Sequence, residues 1–252
     1  MVIPPLPPTG TDAEVAEAER FGRMIFVHDA AASHATDESI RIGTTPTSQP
    51  EILGWITVPS AEGIVVRFVG VASDQYAAFF DVSFSPDGRP LAKALDPLDP
   101  LPPLQSTAFA ARQLVVASTS LDCSDRYNTV VFQDPEGTTD DWYVYLLPAT
   151  TVTGRVMVGR QLRVRVSSDG KQVLENRPLS KHCMHLDRSD MPADAVAQAV
   201  FVTNLETSAP NESHVFLSLR EGLPFAVGTS LGAWMVTDGR IRYLGHTNGR
   251  HD

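Results

Sequence analysis

The 252-residue chain reads as an antiparallel, β-rich α+β protein with an N-terminal helix. Three observations lead there. A helical period runs over residues 12–36. From Leu53 onward apolar residues recur at every second position in short β-branched or aromatic runs. Clusters of Gly, Pro, Asp and Ser punctuate those runs.

The chain opens on Met-Val-Ile-Pro-Pro-Leu-Pro-Pro, an extended leader over 1–10 with neither a basic nor an apolar signal region. The helix starts at Thr11 or Asp12, with acidic residues in its first turn, and carries Val15, Ala18, Phe21 and Ile25 at helical spacing. Gly22 is a candidate break. Thr36-Asp37-Glu38 follows as an acidic patch, then loop to Pro50. "GWITV", "GIVVRFVGV" and "YAAFFDVSF" form a meander of about three antiparallel strands, closed by Ser85-Pro86-Asp87-Gly88. Residues 90–104 carry so many prolines that they read as a linker or polyproline crossover. That places a boundary between an N-terminal region, 11–104, and a β-rich region, 105–252, unless the two form one continuous domain.

Residues 107–118 suit a short helix. "NTVVF" and "WYVYLL" flank the hairpin-type turn Asp134-Pro135-Glu136-Gly137. The second run is apolar on both faces, as in a central strand covered twice. In "LRVRV" the alternation places Leu162, Val164 and Val166 inward and Arg163 and Arg165 outward, before the turn Ser168-Asp169-Gly170. "AVAQAVFVTNL" suits helix from Asp190-Pro192 and strand from "VFVT". "SHVFLSL", "PFAVGT", "AWMV" and "IRYL" read as four strands, the last two joined by Thr237-Asp238-Gly239.

Composition, 42% hydrophobic and 20% charged, is that of a soluble globular protein without a membrane span. A net charge of −10 repels nucleic acid and anionic membranes as main partners. The charge is concentrated in residues 1–110, where 6 basic residues face 14 acidic ones.

Cys123 and Cys183 are the only cysteines, and no C-x-x-C pair exists, which removes zinc ribbons and thioredoxin-like sites. They are either two buried thiols or one disulfide closing a loop of about sixty residues, worth about 4 kcal/mol on the chain-entropy account. Without a signal region the chain as written fits a cytoplasmic protein; paired cysteines imply a periplasmic or secreted one. His182, Cys183, His185, Glu212 and His214 form the most metal-like set, with zinc as the ion such ligands suit. Their spacing matches no known zinc-enzyme signature, and a surface loop plus a strand histidine is the plainer account. His28, Asp29, His34 and Asp37 are acid/base material on the helix, though solvated decoration is the simpler reading. Ser213 and Ser218 lack nucleophile-elbow glycines, and no phosphate or dinucleotide loop is present. No catalytic residue is assigned. Residues 155–188 are locally basic, eight Lys or Arg against three acidic, so Arg163 and Arg165 could hold an anion.

"CSDRYNTVVF", "WYVYLLPATT", "LRVRVSSDGK", the Cys183 region, "NESHVFLSLREG" and "WMVTDGRI" resemble segments of a family of uncharacterised proteobacterial proteins. The resemblance spans most of the chain after residue 120. It implies an exported protein and would fit a Cys123–Cys183 disulfide; this chain shows no leader, and the family brings no activity to carry over. Two functions remain as expectations: a non-enzymatic binding or protein-interaction protein with an acidic N-terminal half, or a small, zinc-dependent hydrolase using His182, Cys183, Glu212 and His214.

Overall fold

The chain's first regular element is α1, Asp12–Arg41. In the computed structural model, residues 6–44, 51–96, 100–187 and 198–246 are described. Asp12 and Glu14 at the start of α1 and Arg41 at its end complement the helix dipole. Ala18, Phe21, Ile25, Ala32 and Ala35 form its buried stripe. The helix continues one turn beyond the expected end. Glu38 is buried and chelated by Arg41 at 2.6 Å through both carboxylate oxygens, so the supposed acidic patch is helix interior. It stops at Gly43, whose φ of 72° permits a Schellman closure: Thr44 N donates to Ser39 O and Gly43 N to Ile40 O. Nor does Gly22 break the helix. A Cβ at that position would lie 2.4 Å from Cβ of Val215, so glycine there serves close packing.

The strands that follow are β1 Ile52–Ser60, β2 Gly63–Ala72, β3 Gln75–Phe84 and β4 Pro90–Ala94. They pair antiparallel in the order β1-β2-β3-β4, so the predicted three-strand meander has a fourth member. β4 occupies part of the stretch read as a linker. Its Pro90 is tolerated because it opens an edge strand. Then come α2 Pro103–Ser118, β5 Arg126–Gln133, β6 Trp142–Ala149, β7 Arg155–Met157, β8 Leu162–Val166, β9 Val173–Pro178 and β10 His185–Asp187. The chain closes with β11 Val200–Asn204, α3 Glu212–Glu221, β12 Phe225–Thr229, β13 Gly232–Thr237 and β14 Arg240–Gly245. The helical start expected at Asp190-Pro192 lies outside the described residues. This is the β-rich α+β fold that the sequence predicts.

The contacts divide the chain into two units, and residues 90–104 lie inside one of them. One unit comprises His28–Leu147 and Leu162–Arg177. Here β5-β6-β8-β9 form a second antiparallel sheet, with β6 interior and buried on both faces, as its sequence requires. Phe109, Ala111 and Val115 of α2 pack with Ile56 and Val69 from the first sheet and Val131, Val144, Leu146 and Val164 from the second. The opposite face of the first sheet buries Ile52, Val66, Phe68, Phe80 and Val82 against Ala35 of α1.

The other unit comprises Met1–Val27, Pro148–Gln161 and Pro178–Asp252. It holds the sheet β11-β12-β13-β14 and the pair β7-β10. "SHVFLSL", expected as a strand, is α3. β11 and β12 pair in parallel, which requires a crossover between them, and α3 supplies it. Local chemistry agrees. The Asn211 side chain accepts from Ser213 N at 3.1 Å, Nδ1 of His214 accepts from Asn211 N at 3.1 Å, and Gly222 (φ 63°) terminates the helix. Val215, Phe216 and Leu217 are all buried. Helix buried on every side carries no helical period to read. The turn Asp238-Gly239, both at positive φ, joins β13 to β14 as expected.

Candidate functional site

Several of the residues singled out by sequence are used structurally, and others are exposed. Cys123 and Cys183 are both disulfide-bonded and neither is a free thiol, so Cys183 offers no thiolate to a metal. His182 and His185 are exposed at the start of β10, where Val158 N donates to Met184 O and His185 lies 3.7 Å from Asp187. Asp187 itself accepts from Nε and Nη2 of Arg155, at 2.7 and 2.8 Å. Glu212 and His214 lie on the helix α3, not along the strand expected for "SHVFLSL". His214 spends Nδ1 on the cap of α3, and burial pushes its pKa down to about 4. Among the described residues, no three His, Cys, Asp or Glu side chains are placed to share a metal ion.

The helical acid/base candidates separate into two kinds. His34 and Asp37 are exposed, as expected of solvated decoration. His28 and Asp29 are buried, against that expectation. Nδ1 of His28 meets Thr57 Oγ1 at 2.6 Å, its ring lies against Phe132, and burial lowers its pKa to about 4. Asp29 accepts from Asn128 Nδ2 at 2.7 Å. Ser213 donates to the Asn211 side chain and Ser218 to Val215 O, so both hydroxyls serve α3. The positive strip is absent as well. Arg163 is buried with its guanidinium 5.6 Å from the Tyr143 ring, and Arg165 faces Asp141 and Glu175 at 3.7 and 4.0 Å.

What sequence reasoning missed is a groove between the end of α1 and β4. A cavity of about 430 Å³ is lined there by Glu38, Arg41, Ile42, Phe79, Ala92 and Ala94, among others. Its origin is traceable. α1 covers the apolar row of β1 to β3, while the corresponding residues of β4, Ala92 and Ala94, remain exposed. Their small side chains leave a step beside the helix. A register shift between β2 and β3 leaves Phe79 as an extra residue in β3, and both Phe79 and Phe80 line the cavity. Facing this floor, Glu38 and Arg41 form a charge-neutral pair. Arg41 lifts no net charge into the groove, and its Nη1 has no partner among the described residues.

Two readings hid the groove. The sequence pattern puts Glu38 in a patch beyond the helix and residues 90–94 in a linker. The period-two placement of Pro90, Ala92 and Ala94 against Leu91, Lys93 and Leu95 was the available signal. Comparison with protein-family models, with curated proteins and with solved structures finds no match, so the resemblance to the proteobacterial family rests on the quoted segments alone.

Proposed function

We propose that this is a non-enzymatic protein-interaction protein whose contact site is the groove beside β4. The observation that carries the reading is the contrast between that groove and the titratable residues. The cavity is of the size that holds a ligand group, and its lining combines apolar side chains with one neutral ion pair. The buried candidates His28, His214, Asp29 and Ser213 are instead spent on caps and internal hydrogen bonds. The 14 acidic residues among the first 110 favour a partner with basic surface. A hydrolase built on His182, Cys183, Glu212 and His214 would have no thiolate at Cys183, and Nδ1 of His214 is already an acceptor in the cap of α3.

The test is a photo-reactive amino acid placed at Leu91, which is 55% exposed on the groove rim, in cells that make the protein. A discrete protein adduct is expected at Leu91 and none with the reporter moved to Leu121. Absence of an adduct, together with ester or phosphoester turnover abolished by His214→Ala, would replace this reading with the hydrolase.

A further inference from the structure

We infer that the groove binds an extended segment of a partner protein by strand addition to the free edge of β4; the inference rests on the interaction reading above. The backbone supplies the first reason. Leu95 N donates to Phe79 O at 2.9 Å, and alternate residues of an antiparallel strand turn both polar groups to the same side. Leu91, Lys93 and Leu95 therefore face β3, and the N–H and C=O of Ala92 and Ala94 point out from the sheet. β4 is the last strand of its sheet, with no further strand beside it among the described residues. Such an edge is a template for another strand.

The second reason is the cavity beside those same two residues. Ala92 and Ala94 present backbone groups at the edge and methyl groups to the cavity. A strand laid along β4 would place alternate side chains on the cavity face, over Phe79, Phe80 and Ile42. The volume of about 430 Å³ admits one large aliphatic or aromatic anchor with its adjoining backbone. Arg41, neutralised by Glu38, offers the Nη1 donor without net charge, so a neutral acceptor such as a peptide carbonyl suits it better than a carboxylate. Residues 28–96, in the same unit as the groove, carry nine acidic residues against four basic ones, and that excess selects lysine or arginine in the flanks. The occupant is thus an extended segment with a single large apolar anchor and basic flanks.

The probe is a displayed library of random linear nonapeptides panned on the full chain, with the enriched peptides remade and their affinities measured by fluorescence anisotropy. Enriched sequences should share one Leu, Ile, Phe or Trp with Lys or Arg nearby. Ala92→Pro removes an outward N–H that β3 does not use, and Ala94→Leu fills the cavity; each should weaken binding about tenfold while leaving the melting temperature within a few degrees. Raising salt from low to moderate concentration should weaken it further. No enrichment, or peptides indifferent to both variants, would overturn the proposal. So would a dimer in solution that Ala92→Pro dissolves, because the edge would then belong to a second copy. An adduct at Leu91 that persists in Ala92→Pro would leave the interaction reading standing and remove strand addition alone.

Discussion

At the scale of single residues, the structure spends its buried polar groups on internal order. His28 and His214 are buried neutral, each with its pKa lowered to about 4 by loss of water. In the unfolded chain both titrate near 6.5. Between those values the unfolded state binds more protons than the folded one, so stability rises with pH. The contribution is full above about pH 6.5 and is lost as pH falls towards 4, at roughly 3 kcal/mol for each histidine. Urea denaturation at pH 7 and pH 4.5 should show this loss. His214→Gln, whose side-chain oxygen can still accept from Asn211 N, should shrink it markedly while leaving stability at pH 7 within about 1 kcal/mol. An unchanged pH dependence in that variant would remove His214 from the account. Arg112 makes a related case. Only 7% exposed, it donates to Thr129 at 2.8 Å and to Gln113 at 2.6 Å and stacks near Trp55 and Phe109, with no carboxylate paired to it among the described residues. Burial lowers its pKa to about 10, a cost that an apolar side chain of the same length avoids. Arg112→Met should therefore fall within about 1 kcal/mol of the parent, or above it, whereas Arg112→Ala should lose about 2–4 kcal/mol through the cavity it leaves. Equal losses in the two would show that the charge itself stabilises.

At the scale of elements, α3 depends on its ends. Asn211 caps the helix and also donates through Nδ2 to Leu179 O at 2.7 Å, so Asn211→Ala should cost about 1–3 kcal/mol in a denaturant titration. Gly22→Ala should cost at least as much, because its added methyl would meet Val215 and the Glu212 carbonyl inside contact distance. If Gly22→Ala is neutral, the close approach of α1 and α3 is not a constraint. These two elements also show what could be read from sequence. Where one face is wet, as in β13 and β14, period and turn residues located the strands to within a residue or two. Where an element is buried all round, as in α3, no period survives, and only the Asn211 and Gly222 caps carried the information. β4 was obscured by prolines that an edge strand tolerates. The candidate site was less legible than the fold, because a groove is set by how far α1 reaches across a sheet, and no local pattern encodes that.

At the scale of the whole molecule, the chain divides into two contact units, and each of them draws on separated stretches of sequence. Such long-range organisation makes the unfolded chain's freedom a large opposing term, and the disulfide acts on that term. Cys123 and Cys183 are both bonded, and the chain has no other cysteine. The loop they close holds about sixty residues, including all of β5 to β9, and closing it stabilises by about 4 kcal/mol on the chain-entropy account. Protein unfolded without reductant should therefore titrate no thiol, and two after reduction. Reduced protein, and the double variant Cys123→Ala with Cys183→Ala, should both unfold at lower urea concentration, by an amount equivalent to about 2–4 kcal/mol. The variant alone should be indifferent to added reductant. Two free thiols in unreduced protein made in an oxidising compartment would sink the bond. A midpoint that reduction leaves in place would show that the sixty residues are already restrained in the unfolded chain, which would move the stabilising role from the bond to residual structure between β5 and β9.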